Sequence, residues 1–468
     1  MKSSTKSESK SSLERKYGPI TAVCMVVGTI IGSGIFFRNE EVLAVIGSRM
    51  YLGILAWVLC GFITLTGAYV FSTLCTRYDN TTSLLGFLEH MVGKTFGHLF
   101  GWYLAITFYP SLAGILAWVS ARFTVILFGW DANPSFSGQT YALAMFYLIS
   151  IFAINTLSPK LSGKFQVSTT FIKVIPLIAM GIVGTIAGLM NGTTAANIQS
   201  NYITAPLTGT IQSPFFIAIT ATAFAYLGWD SIISIKAEID DPKRNMPLAL
   251  VGGTLIVIMI YVLYFIGLFS AAPIDQLAGG EGVRHAFVQM FTPVAGTALF
   301  VFIVVSCLGT LNGLIIASQR AIHSLAEKGH TPHPKTLSQL DPNTNAPVNS
   351  SVLSLVFIAF WIVVYSGNFS GWFGGHFLDI PGLVPITFQI FVVPLYISVI
   401  LRERSFGTFN RFIAPTLASI GGLFLLFVAT FNAVTNEPRR LPSLIFMLFA
   451  ITTIAVGYLY TNRRKGEQ

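Results

Sequence analysis

The stretch "GTIIGSGIFF", Gly28 to Phe37, decides the fold. It lies inside an apolar span that begins near Tyr17, yet it sets Gly28, Gly32, Ser33 and Gly34 close together. Each glycine costs about 1 kcal/mol relative to alanine in a helix interior. Inside a bilayer, an interrupted helix survives only where it is buried in protein or lines a water-filled cavity. Gly28 and Gly32 alone suit close helix packing as a small-xxx-small pair. Gly34 lies about 600° around the helix from Gly28, off that face, so packing does not account for it. A Gly-Ser-Gly turn suits an unwound segment whose free N–H groups point at an anion.

The surroundings of this stretch identify the solvent as lipid. The chain has 468 residues, 53% hydrophobic and 10% charged, with a mean hydropathy of +0.70; soluble domains carry roughly 25% charge. Apolar runs of about 20 residues recur throughout, the mark of a polytopic helical membrane protein. They predict twelve spans, near 17–38, 50–76, 97–127, 139–158, 165–190, 212–238, 248–272, 293–323, 349–366, 380–401, 411–432 and 441–461. The polar, basic start has no apolar h-region before Pro19, so residues 1–16 are expected as a cytosolic tail and not a signal peptide.

Charge sets the expected orientation. Of 28 Lys and Arg, twenty-one fall on the side of the N-terminal tail and five (Arg38, Arg49, Arg284, Arg439, Arg440) on the other, which places both termini in the cytoplasm. The net charge of +9 is then a basic rim facing lipid headgroups and requires no nucleic acid. The cysteines Cys24, Cys60, Cys75 and Cys307 fall in or at the ends of spans and read as packing residues, without a metal or disulfide pattern. His323, His330 and His333 match no zinc spacing and read as solvated loop. No metal or cofactor is expected. "TSLLGFLEHMVGKTFG" reads as an amphipathic in-plane helix.

The sixth span, "TAFAYLGWDSIISIKAEIDDPKRNMPLA", carries the companion interruption: Gly228 beside Trp229 and Asp230, deep in an apolar run. An ionisable residue there marks a functional site, although Asp230 also suits the cap of a restarted half-helix. Glycine-interrupted helices in corresponding positions of two halves point to an inverted-repeat transporter with a midplane site. Lys173, nine residues past Lys164, lies roughly 13 Å deeper along its helix, too deep to snorkel easily. Asn312 suits either backbone freed by the breaks or a polar helix–helix contact, and Tyr261 in "VIMIYVLYFIG" suits either a core or interface tyrosine or an occluding residue. No paired carboxylates or nucleophile–base pair falls in the spans, which argues against an enzyme; a channel would want polar rings at a constriction.

In these motifs the sequence resembles the amino acid–polyamine–organocation (APC) superfamily, and its L-type amino acid exchanger branch in particular. The resemblance is carried by "GTIIGSGIFF" (28–37), "FAYLGWDSIISIKAEIDDPKRNMPLA" (224–249), "SCLGTLNGLIIASQRAIHSLAEKG" (306–329) and "APVNSS" (346–351), whose order and spacing cover nearly the whole chain. One stretch departs: Tyr78 is followed by "DNTTSLLGF" where such transporters usually carry Tyr-Pro and paired glycines. The resemblance implies an all-α LeuT-type fold with 5+5 inverted repeats. A transport core at 17–401 would comprise 17–190 and 212–401, followed by two further helices at 402–461 and a cytosolic tail at 462–468. It also implies that Ile31, Gly32, Ser33 and Gly34 hold a substrate carboxylate, and that carbonyls at Phe224, Ala225 and Leu227 take the ammonium, with Phe224 as an aromatic gate. Lys173 would stand where related symporters bind sodium. The implied activity is sodium-independent exchange of neutral L-amino acids at the plasma membrane. The alternative is an amino acid/amine antiporter or proton-coupled permease for cationic amino acids, with Asp230 meeting the second positive charge. Oligomeric state has no signature in the sequence.

Overall fold

A computed structural model describes residues 14–466 apart from Asn80, Thr82, Ala132, Phe136, Asn201, 203–213, 279–281, 374–377 and Asn436. Of the expected terminal tails, residues 1–13 and 467–468 lie outside the described residues. The described chain is helical throughout. α1 (Pro19–Ile30) and α2 (Gly34–Ile46) make up the first apolar unit, followed by α3 (Met50–Arg77), α4 (Lys94–Phe128), α5 (Gly138–Leu157) and α6 (Pro159–Met190). α7 (Pro214–Ala225) and the tighter, 3-10-wound α8 (Trp229–Glu238) form the sixth unit. After them come α9 (Pro242–Ala271), α10 (Pro293–Glu327), α11 (Val348–Ser366), α12 (Ile380–Arg402) and α13 (Phe409–Phe431). Eleven such units among the described residues are long and apolar enough to cross a membrane. The expected twelfth falls in α14 (Glu437–Gly466), whose apolar part, Leu444–Leu459, is shorter.

Burial ranks these units from centre to rim. In the most apolar stretch of the first and sixth units, 78% and 72% of residues are buried inside the protein, against 33% for α5 and 39% for α6 and α11. The outer helices expose Phe146, Phe171, Ile182 and Phe360, as a protein solvated by hydrocarbon should. Small residues let helices meet closely: Gly181, Gly184 and Gly188 of α6 lie directly on Leu263, Gly267 and Ser270 of α9. Inside α4, Pro110 has no N–H to give the carbonyl of Ile106. The indole N–H of Trp361 on α11 takes that acceptor at 2.7 Å, which ties the two helices together.

The end of the bundle at Tyr17 is closed by a clasp. The N–H groups of Lys16 and Tyr17 donate to the carbonyl of Glu238 at 2.8 and 3.0 Å, and the N–H of Asp240 donates to the carbonyl of Tyr17 at 3.0 Å. The buried Glu238 carboxylate receives Nε and a terminal nitrogen of Arg320 at 2.6 and 3.0 Å, with the Lys16 ammonium at 3.7 Å. Beside the clasp, Leu84–Met91 forms the expected short helix, capped by Ser83; most of it is buried rather than lying half in lipid. His323 corrects the sequence reading, because it is buried within α10 and not in a solvated loop. His330 follows α10 and packs against His98, the rings tilted by 33° with centroids 3.4 Å apart.

Candidate functional site

The two breaks face each other. The N–H of Ile31 makes the last α-type bond of α1, to Val27 O at 2.9 Å, and Ile31 itself is extended at φ −73°, ψ 92°. Residues 31–33 carry no helix, and Gly34 already starts α2. The Gly-Ser-Gly spacing predicts Gly34 within the break, and the structure makes it the first residue of α2. The first turn of any helix leaves its N–H groups without intrahelical partners, so the amides around Gly34 point out of the N-terminus of α2 with the positive end of its dipole. On the other side, α7 ends at Ala225, and Gly228 turns the chain at φ +101°, a left-handed conformation that only glycine adopts without strain. A Cβ there would also press on the carbonyl oxygen of Thr29 at 3.0 Å.

One small cavity of about 30 Å³ lies between the breaks. Gly32, Ser33, Gly34, Phe224, Ala225 and Leu227, six of the seven residues expected at the substrate, line it together. Ile31 is fully buried just behind it. The rest of the wall is mainly apolar, from Ile30, Leu112, Leu116 and Leu314, with Thr29, Thr310 and Gly228. Gly34 is required by close approach, since a Cβ would meet Ala225 Cα at 3.0 Å and Phe224 Cδ1 at 3.4 Å. Gly28 serves packing instead: a Cβ there would collide with Gln166 and Thr170 of α6.

Lys173 is fully buried behind the first break. Its ammonium donates to the carbonyls of Gly28 and Ile31, each at 2.6 Å, and to that of Ser306 at 3.1 Å, and it lies 3.3 Å from Thr310 Oγ1. Thr310 donates its own hydroxyl to Gly28 O and Ile31 O at 3.0 and 2.9 Å, and Ser306 donates to Ile31 O and Gly32 O at 3.2 Å. The carbonyls that the broken helix leaves behind are thus collected by α6 and α10.

The remaining candidates stand off the cavity. Tyr261 does not line it; its hydroxyl donates to Ala225 O at 3.0 Å and to Ile30 O at 3.2 Å, bracing one break against the other. Asp230 is fully buried in the first turn of α8, where Tyr109 donates to its Oδ2 at 2.7 Å. It too is absent from the cavity wall. Asn312 donates to Gln166 Oε1 at 2.8 Å and accepts from Ser162 at 3.1 Å, a contact between α10 and α6 and not a cap on freed backbone. Among the described residues no group of His, Cys, Asp and Glu could hold a metal ion. Sequence reasoning missed Thr310, Leu112, Leu116 and Tyr109. The i, i+4 pair of hydroxyls Ser306 and Thr310 was visible in "SCLGTLNG"; the α4 residues carry no local signal.

A second cavity adjoins the first on the side of Ile46. It shares Ser33, Gly34 and Phe224 with the inner one and is also lined by Arg38, Arg122, Trp118 and Asp379. The Arg38 guanidinium sits 5.1 Å above the ring centre of Phe224 and pairs with Glu41 and, at 3.5 Å, with Asp379.

Comparison with known proteins places this geometry in context. A sequence profile described as "Amino acid permease" matches residues 17–456. The chain is 27% identical over 423 residues to the serine/threonine exchanger SteT of Bacillus subtilis (strain 168), covering 88% of this chain and 91% of that one. It is 25% identical over 469 residues to the b(0,+)-type amino acid transporter 1 of Homo sapiens, covering 97% and 90%. It is 26% identical over 323 residues to the large neutral amino acids transporter small subunit 2 of Homo sapiens, covering 68% and 59%.

Proposed function

This chain belongs to the amino acid permease family of the APC superfamily, and from that premise we propose that it exchanges neutral L-amino acids across the plasma membrane without sodium, by alternating access. The observation that carries the reading is the pair of helix breaks at 31–33 and 226–228 lining one cavity. Amides at the N-terminus of α2 suit a carboxylate, and the C-terminal carbonyls of α7 at Phe224 and Ala225, with that of Leu227 in the break, suit an ammonium. The carbonyls of Phe224 and Ala225 each already accept one bond, from Leu227 N–H and from Tyr261, and each oxygen has a second lone pair for a substrate.

The finer reading follows the same geometry. Twelve spans would put both termini in the cytoplasm, with residues 17–401 as the LeuT-type core of halves 17–190 and 212–401, and two peripheral helices in 402–461. The clasp at Glu238 then closes the cytoplasmic side, and Phe224 parts the cavity from an outer vestibule. Lys173 supplies the cation that would otherwise be sodium. Among the described residues no acidic one lines the inner cavity, which favours a neutral side chain over a cationic one, with Leu227 limiting its size.

Counterflow in proteoliposomes tests this reading. Vesicles preloaded with L-threonine, L-leucine, L-arginine or L-glutamate are assayed for uptake of the same labelled amino acid, in sodium and in choline. Uptake of the neutral pair, equal in both salts, is expected. Analogues lacking either α-group should barely compete, because a site built to bond a polar group rejects its absence strongly, whereas one methylene changes binding by about 1–3 kcal/mol. Strict sodium dependence would overturn the role of Lys173. Preference for L-arginine, with amines competing as well as their parent acids, would move the cationic antiporter ahead.

A further inference from the structure

We propose that the outer cavity is itself a binding site, in which Arg122 captures the carboxylate of an arriving amino acid before it passes Phe224. This rests on the transport reading above and adds a residue and a step that the reading does not use. The outer cavity holds about 330 Å³ against about 30 Å³ for the inner one. The two share Ser33, Gly34 and Phe224. Anything reaching the helix breaks from that side must cross it.

Among the described residues three charged ones line the outer cavity, and they are not equivalent. Arg38 is committed to Glu41, Asp379 and the face of Phe224. Asp379 is committed to Arg38 and to the N–H of Gly382 at 3.1 Å. Arg122 has no carboxylate partner among the described residues. Its Nε donates to Ser135 Oγ at 3.1 Å, and its guanidinium carbon lies 5.4 Å from the Phe123 ring centre and 6.0 Å from that of Trp118. The ring faces and the serine fix the plane of the group, while no acidic side chain neutralises it. An unneutralised arginine inside the apolar unit Lys94–Phe128 is expensive. A planar fork of donors is shaped for two carboxylate oxygens, and low-dielectric walls strengthen its pull on an anion.

The alternative is structural: Arg122 merely ties the end of α4 to the loop at Ser135. That role affects both sides of the membrane alike, whereas a capture site affects one. The test is counterflow with the four amino acids named above, measured separately for external and internal substrate in vesicles of known orientation, on the full chain and on Arg122→Gln and Arg122→Lys. The expected result is an external KM raised about tenfold in Arg122→Gln, the scale of one charge-assisted bond, with the internal KM unchanged. Arg122→Lys, which keeps the charge but not the fork, should recover only part of the loss. The external KM of the unaltered chain should rise between 20 and 200 mM choline chloride by about two- to threefold, and that dependence should vanish in Arg122→Gln. An unchanged external KM in a variant that exchanges normally overturns the proposal, as does an equal loss on both faces. Absence of counterflow by the unaltered chain with all four amino acids would instead refute the transport reading on which it stands.

Discussion

At Gly34, packing and chemistry demand the same space. The residue starts α2, its amide faces the cavity, and Ala225 and Phe224 of the opposite break close over it. A Cβ would already stand 3.0 Å from Ala225 Cα, so even Gly34→Ala forces backbone to give. Gly34→Leu should cut exchange by about a hundredfold, ~3 kcal/mol at 1.4 kcal/mol per tenfold. A leucine would also press the two breaks apart, so Gly34→Ala is the milder probe: exchange should fall while the yield of monodisperse protein stays within about twofold, and collapse of yield together with exchange would show that Gly34 serves folding alone. Gly32 and Gly28 belong to a different class. They admit Thr310 and the α6 side chains Gln166 and Thr170, and substitution there should be felt first as lost stability.

The broken elements were legible because glycine and a lone acid are costly in an apolar helix, and the cost shows in sequence. "GTIIGSGIFF" and "AYLGWDS" located both breaks to within a residue. What the sequence did not convey is direction. A helix net does not say whether Tyr261 or Asp230 looks into a cavity or behind it, and both look behind. Nor does spacing bring α4 to the site, because Leu112, Leu116 and Arg122 arrive there only through the packing of α4 on α10 and α11. The clasp was equally hidden, since Lys16, Glu238 and Arg320 are far apart in the chain. Glu238 is fully buried with two cations around it, and removing one member of a buried pair costs about 3–5 kcal/mol. Glu238→Gln should therefore destabilise the protein on that scale in a thermal unfolding assay in detergent. The double variant Glu238→Gln, Arg320→Met should recover part of the loss; equal stability of the single variant and the parent would deny the clasp any structural weight.

For the whole molecule, the number of crossings decides where the chain ends. Twelve crossings return the C-terminus to the side of the tail, and eleven leave it opposite. A fluorescent protein that matures only in the cytosol, fused after Gln468, should fluoresce; a dark, full-length fusion would mean that Leu444–Leu459 does not cross. The anchorage of Lys173 has a consequence at this scale too. An ammonium covalently tied to α6 and bonded to the carbonyls of Gly28, Ile31 and Ser306 stays with the protein through every cycle, unlike a sodium ion that is taken up on one side and released on the other. A zwitterionic passenger moves no net charge past it. Under the zwitterion exchange proposed above, membrane voltage, which does about 2.3 kcal/mol of work on each elementary charge per 100 mV, would have nothing to act upon. Such a carrier would not draw on the membrane's electrical energy to concentrate its cargo; it would trade one amino acid pool against another until their ratios agree.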